Sequence, residues 1–426
     1  MGVTGQDADP VLYPNRGKAS TSTSGVSRRD VLAGGAAAGA VATAGCTGDG
    51  GESAPTDRPT VFVFNTGDGT VSLLDSESDE LVETRAIDLS SSFPSNQYTP
   101  DLTDAPEDSL WLNVGRGVRG LEVGSLSETA AVETGSGANW LERTPDGAHV
   151  VVSAREPSHA QFRIDADRTT EAFGEVTAEI DRTPEGGLGD RDGPGPCDVT
   201  IHPDGEYAYV PDLFGDTLTV LSVDPFEIVT QIDVDPVGDG PARPWMGTVA
   251  PDGETLLVEH DEGEAGTESI WSLADPAEPR LTARLTTADG LGRRPLTSEI
   301  GPDSATGYVF TPGSNDVTLV DLAAGTVTER LDVGGAAFAG TWEPDRSKLY
   351  VSVQTADEVA VVDHERGAVV ERIGVGPSPY GATAARVRPG SDAGASMQLA
   401  VARLGIGSDR AETTYCIGNC ACGHRL

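Results

Sequence analysis

The chain has 426 residues and carries 29 basic against 68 acidic side chains, a formal net charge of −39. This excess argues against nucleic-acid binding, because there is no basic surface to neutralise phosphates, and against attraction to anionic lipid headgroups. Since the acids are spread along the chain and lysine is nearly absent, we interpret the charge as adaptation to molar salt, where the Debye length is about 3 Å, and expect a halophilic source.

The first predicted element is an export signal over residues 1–46. Arg28 and Arg29 precede an apolar run at residues 31–44, which is too short for a membrane-spanning helix because such a helix takes about 20 apolar residues. The arginine pair resembles the twin-arginine export signal, and residues 43–46 (Thr-Ala-Gly-Cys) resemble a lipobox. These resemblances imply that Cys46 is lipidated and anchors the mature protein at the outer face of the cytoplasmic membrane, exposed to the cell exterior.

A flexible linker is expected over residues 47–58, and one phrase recurs after it. A clear copy is His-Pro-Asp-Gly-Glu-Tyr-Ala-Tyr-Val from His202, in which Pro-Asp-Gly sets a tight turn and an alternating strand follows. The prolines of the series stand at positions 106, 145, 203, 251, 302, 344 and 389, about 47 residues apart on average. Four short strands per unit of about 40–50 residues are typical of a β-propeller blade.

The best copies lie in the C-terminal half. Residues 348–363 (Lys-Leu-Tyr-Val-Ser-Val-Gln-Thr-Ala-Asp-Glu-Val-Ala-Val-Val-Asp) and residues 206–210 (Glu-Tyr-Ala-Tyr-Val) resemble the YVTN-repeat β-propellers. The resemblance covers approximately residues 58–405. It implies the fold and leaves the function open, because such repeats serve in enzymes, in cofactor-holding proteins and in scaffolds.

The predicted fold class is therefore all-β: a β-propeller over residues 59–405 with seven four-stranded blades. Residues 60–89 form three predicted strands without a preceding turn, and residues 380–387 and 398–404 form strands without a full blade after them. Pairing the N- and C-terminal strands in one shared blade removes both open sheet edges. Eight blades remain the alternative if the last strands build a blade of their own.

The repeat also predicts a ring of side chains where the innermost strands begin, at the funnel leading into the central channel. The position is the sixth residue before each turn proline, and its occupants are mostly aromatic or apolar. They are Asn139, Cys197, Trp245, Leu296 and Phe338. Tyr380 is assigned to the equivalent position by its Ser-Pro-Tyr-Gly motif. Such a ring suits either a ligand pocket with an apolar wall or packing between blades.

The tail over residues 406–426 is rich in metal-binding side chains. It places Cys416, Cys420, Cys422 and His424 within nine residues, a ligand set suited to zinc or copper. Disulfides are the competing interpretation: with Cys46 lipidated four cysteines remain, and an even number in an exported protein favours pairing. If all four of these cysteines are paired, Cys197 is joined to the tail.

The sequence contains no catalytic motif that we recognise. There is no Gly-x-Ser-x-Gly elbow, no Walker phosphate loop and no Gly-x-Gly-x-x-Gly placed between a strand and a helix. We therefore assign no catalytic residue and expect a non-enzymatic surface protein that binds a protein or a small molecule. The first alternative is a metal or redox accessory protein acting through its tail, and the second is a lactonase-like or haem-holding propeller enzyme.

Overall fold

The alternating stretches of the repeat form antiparallel sheets in a computed structural model, which describes residues 54–391. These sheets are the seven blades of a β-propeller, which confirms the predicted fold class. The export-signal residues Arg28, Arg29 and Cys46, and the tail residues Cys416, Cys420, Cys422 and His424, lie outside the described residues, as does the predicted strand at 398–404.

The strands follow the chain blade by blade. Blade 1 contains β1 (Thr60–Asn65), β2 (Thr70–Asp75), β3 (Glu80–Ala86) and β27 (Pro379–Ala385), and blade 2 contains β4 (Ser109–Val114), β5 (Gly117–Glu122) and β6 (Glu128–Glu133). Blade 3 contains β7 (Ala138–Arg143), β8 (His149–Ala154), β9 (Ala160–Asp165) and β10 (Val176–Asp181). Blade 4 contains β11 (Thr200–Ile201), β12 (Tyr207–Asp212), β13 (Thr217–Ser222) and β14 (Glu227–Asp233). Blade 5 contains β15 (Pro244–Val249), β16 (Thr255–His260), β17 (Thr267–Ser272) and β18 (Arg280–Leu285). Blade 6 contains β19 (Thr297–Ile300), β20 (Thr306–Thr311), β21 (Asp316–Asp321) and β22 (Thr326–Asp332), and blade 7 contains β23 (Ala337–Trp342), β24 (Lys348–Val353), β25 (Glu358–Asp363) and β26 (Ala368–Gly374).

The two ends of the propeller meet in blade 1. β27 is the innermost strand of that blade and pairs antiparallel with β1, so that Thr60 lies opposite Ala385 and Val63 opposite Ala382. One further bridge ties Thr56 to Arg388. The shared blade gives both terminal strands a partner in one sheet, and the predicted closure is confirmed with seven blades.

The Pro-Asp-Gly turns connect the first and second strands of the blades. Gly147, Gly205 and Gly253 adopt φ of 74°, 76° and 75°, a left-handed conformation that glycine enters without a steric penalty. The degenerate copies place Ser304 and Arg346 at the same turn position, with φ of 54° and 56°. The turn geometry is thus kept where the glycine is absent.

Blade 2 differs from the other six because it has three strands. The strand that follows its degenerate turn at Pro106 is β4, which corresponds to the second strand of the other blades. The missing strand is therefore the innermost one, which in the repeat would precede residue 106. The chain at that place follows a different path, described below.

The propeller has two unlike faces because its strands are antiparallel. The tight turns at residues 144–148, 202–206, 250–254, 301–305 and 343–347 share one face. The connections from one blade to the next lie on the other, which we call the loop face. Three of them are long: residues 182–199, 234–243 and 286–296.

Candidate functional site

The central channel is occupied by a stretch of the chain itself. Residues 90–103, which we call the channel segment, connect β3 to β4 and include a 3₁₀ turn at Thr99–Asp101. The segment makes hydrogen bonds to every blade, in six of them to the innermost strand and in blade 2 to β4. Those contacts are made to Thr383 in β27, Trp111 in β4, Glu142 in β7, Ile201 in β11, Val249 in β15, Glu299 in β19 and Gly340 in β23.

The amide side chains of Asn96 and Gln97 connect the channel segment to three of the surrounding blades. Asn96 donates from its Nδ2 atom to Glu299 Oε1 at 2.9 Å and to the Gly340 carbonyl at 3.0 Å. Gln97 donates from Nε2 to the Val249 carbonyl at 3.0 Å. Because an amide carries both donors and acceptors, each side chain can bridge strands that belong to different blades.

Two buried carboxyl groups face the channel segment. Glu142 accepts hydrogen bonds from Ser95 Oγ at 2.6 Å and from the backbone N–H of Gln97 at 3.3 Å. Burial raises the pKa of Glu142 to about 7, although these hydrogen bonds act in the opposite direction. Burial likewise raises the pKa of Glu299 to about 8. At neutral pH both groups are therefore protonated to a larger extent than a carboxyl in water.

The funnel ring predicted from the repeat is buried in one apolar cluster. Cys197, Trp245, Leu296, Phe338 and Tyr380 all belong to it. The channel segment adds Phe93, whose ring stacks on Trp140 with centroids 4.3 Å apart and meets Tyr380 edge-on at 5.3 Å. The structure therefore brings five of the six predicted positions together, and Asn139 is a residue of β7.

These contacts fit the packing interpretation of the ring, because the side chains bury one another. A cavity between the channel segment and β19 and β23 has room for about one water molecule. It is lined by Asn96, Glu299 and Trp140 among others. A ligand role for the ring stays a prediction.

Sequence reasoning missed the channel segment. The stretch from Leu89 to Pro100 has no charged residue, although 23% of the whole chain is charged, and it contains Pro94 and Pro100. Proline removes a ladder donor and is found mostly at strand edges or outside strands. The sequence signal for the channel segment was therefore an uncharged stretch, interrupted by prolines, at the place where the repeat puts an innermost strand.

The loop face carries a pair of arginines around an aromatic ring. The Arg191 guanidinium lies 4.0 Å from the centroid of Phe214, and that of Arg155 lies 5.9 Å from it. Both arginines form ion pairs with Glu156: Arg191 Nη1 lies 3.1 Å from Oε1 and Arg155 Nε lies 2.6 Å from Oε2. Arg155 Nη1 also lies 3.6 Å from Cys197 Sγ. The arginine pair is therefore next to the funnel ring, at its Cys197 position before blade 4.

The described residues contain no cluster of three or more His, Cys, Asp or Glu side chains arranged to hold a metal ion. Between residues 54 and 391 there is also no helix long and apolar enough to cross a membrane. The tail metal ligands, zinc or copper, and the lipid anchor are therefore untested predictions.

Comparison with known proteins identifies the fold. No family model matches the chain, and no curated protein matches its sequence. Among solved structures, hydrazine synthase from Kuenenia stuttgartiensis is similar over 71% of this chain and 92% of its own, at 17% identity and a TM-score of 0.57. A protein from Lactobacillus plantarum is similar over 77% of this chain and 99% of its own, at 14% identity and a TM-score of 0.61. The periplasmic gluconolactonase PpgL from Pseudomonas aeruginosa is similar over 76% of this chain and 98% of its own, at 17% identity and a TM-score of 0.60. At such identities the likeness establishes the β-propeller architecture and nothing finer.

Proposed function

We propose that this chain is an exported, lipid-anchored propeller of the YVTN-repeat type that binds a partner on its loop face and catalyses no reaction. The observation that supports this most is the channel segment. A propeller can hold a small molecule in its central channel, but here the chain's own residues 90–103 form hydrogen bonds to all seven blades.

The loop face is the place that remains for binding. Connections on a rigid scaffold commonly carry binding residues because they vary without disturbing the core. The long connections at residues 182–199, 234–243 and 286–296 belong to neighbouring blades, and their tips are largely exposed. Arg191 projects from the first of them and is partly exposed beside Phe214. The chain thus offers an extended polar surface on one side.

A lactonase is the second candidate, because a gluconolactonase is among the similar structures and the Glu299 carboxyl, with its raised pKa, borders the channel cavity. Under our proposal the purified protein hydrolyses δ-gluconolactone no faster than buffer alone, because the cavity that the described residues form beside Glu299 has room for about one water molecule. Proton release in a weakly buffered assay measures the rate. A rate above background that Glu299→Gln removes would establish the lactonase instead.

The tail offers the other alternative. A metal or redox accessory role would use Cys416, Cys420, Cys422 and His424, which lie outside the described residues. That role and a haem-holding enzyme remain predictions from the sequence.

The lipid anchor has a direct test. Cys46→Ser is expected to move the protein from the membrane fraction into the medium, because two acyl chains suffice for stable anchoring and the variant would carry none. Immunoblots of separated fractions measure the change. Cys197→Ser is the matched control, since this buried cysteine belongs to the propeller and its loss leaves the anchor intact. Sedimentation of both variants with membranes would disprove lipidation as the attachment.

A further inference from the structure

Two glutamates lie directly opposite each other inside blade 5. Glu259 in β16 and Glu268 in β17 are partners in the antiparallel register, which places their side chains on the same face of the sheet. Both residues are fully buried. Two adjacent buried carboxylates repel each other and are costly to desolvate, so they call for a compensating positive group.

Their shared face points toward blade 6. Leu257 and Ile270, each two residues from one glutamate and therefore on the same face, pack in one cluster with Ile300 and Val309 of blade 6. The Ser298 hydroxyl of β19 faces Glu259 from that side. The carboxylates thus lie in the interface between the two blades.

The Ser298 hydroxyl approaches Glu259, but the four oxygens of Glu259 and Glu268 are otherwise unsatisfied by the described residues. Among the described residues, none supplies a hydrogen bond of normal geometry to any of the four oxygens. The positive charge that acts on Glu268 is Arg284. Its Nη2 donates to Glu262 at 2.7 Å and its Nε to Thr267 at 3.0 Å, while its Nη1 has no hydrogen-bond partner in the part of the chain that the structure describes.

Other buried carboxylates in the propeller do have donors. Asp198 accepts from the backbone N–H groups of Val199 and Gly247 at 2.6 and 2.7 Å. Asp212 accepts two bonds from Arg182, at 2.6 and 2.9 Å. The fold therefore satisfies acids that it buries, and the Glu259–Glu268 pair departs from that pattern.

The repeat provides an internal comparison. The same cross-strand position in the other blades holds apolar or neutral polar pairs and in no case a carboxylate. These pairs are Phe64–Val71, Asn113–Val118, Ser153–Gln161, Pro211–Leu218, Phe310–Val317 and Ser352–Val359. The blade architecture does not require acids here, so blade 5 carries them for another reason.

We propose that Glu259 and Glu268, with the Ser298 hydroxyl, bind one divalent cation of the calcium class between blades 5 and 6. Calcium takes six to eight oxygen ligands and accepts bidentate carboxylates, and two carboxylates balance its charge. Magnesium is disfavoured because it gives up its water reluctantly, and zinc because it prefers nitrogen and sulfur ligands. The ion would hold the two blades together from inside the interface.

A cation that binds Glu259 and Glu268 has to compete with protons for the same carboxyl groups. Burial raises the pKa of both carboxyls, and the neighbouring Glu259 charge raises that of Glu268 further. A cation must displace whatever protons the pair holds, so its binding releases protons and weakens as the pH falls.

The test is calorimetric titration of the full-length protein with CaCl₂ in about 3 M KCl, which screens the acidic surface and suppresses diffuse ion binding. We expect one site per chain, a proton release shown by the dependence of the heat on the buffer, and a melting temperature that rises with calcium. The Glu259→Gln/Glu268→Gln variant, which keeps the side-chain shapes, should lose all three while its circular dichroism stays that of a folded propeller.

Glu299→Gln is the matched control, because it neutralises a buried carboxylate that already has a donor; it should bind calcium as the parent does. Equal calcium uptake by the parent and the double variant would overturn the proposal. So would a parent protein that binds no calcium, which would leave the pair as two glutamates sharing protons.

Discussion

Phe93→Ala is expected to lower the free energy of unfolding by about 3–5 kcal/mol, the usual cost of deleting a fully buried phenylalanine. Phe93 is 1% exposed, stacks on Trp140 and meets Tyr380 edge-on. Its backbone N–H also donates to Asn113 Oδ1 at 2.8 Å, which fixes the start of the channel segment against β4. Because blade 2 lacks its own innermost strand, this contact also replaces part of the missing packing.

Denaturant titration in concentrated salt measures the change. Phe226→Ala is the control, since Phe226 is only half-buried, on a blade edge beneath Arg163; it should cost clearly less. A loss below about 1 kcal/mol for Phe93→Ala, within the range of surface substitutions, would mean that the channel segment contributes little to the stability of the ring.

The sequence was sufficient for the architecture because the repeat carries it. Each Pro-Asp-Gly phrase encodes a turn between two alternating strands, and the unpaired strands at the two ends of the series predicted that blade 1 is shared between β27 and β1. The funnel positions were also predictable, since Trp245, Phe338 and Tyr380 occupy one repeat position and one cluster.

The departures from the repeat could not be predicted in the same way. The channel segment replaces a strand by a path whose contacts, such as Asn96 with Glu299, join residues more than 200 positions apart. Likewise, Glu259 and Glu268 belong to ordinary alternating strands, and their pairing is visible only once the register is known. Local patterns specify strands and turns; they do not specify which buried polar groups meet across the ring.

Glu299 makes the stability of the propeller depend on pH. Its ordinary pKa of 4.5 is raised by burial to about 8 in the folded protein. The folded state therefore holds a proton that the unfolded state releases, and the resulting stabilisation is fully present below about pH 4.5. It is lost as the pH rises from about 4.5 to 8, because only the unfolded state releases its proton in this range, and the loss is complete once the folded carboxyl also ionises.

Glu299→Gln should flatten this dependence. The amide cannot ionise, and its oxygen can still accept the hydrogen bond from Asn96 Nδ2. Between pH 6 and pH 9 the parent protein is expected to lose about 3 kcal/mol more than the variant, since each unit of pKa difference corresponds to about 1.4 kcal/mol. The variant should thus be the more stable protein at pH 9. Unfolding free energies measured at both pH values test this, with the exposed Glu80→Gln as control; parallel losses in the parent and the Glu299 variant would show that Glu299 is already ionised in the folded channel.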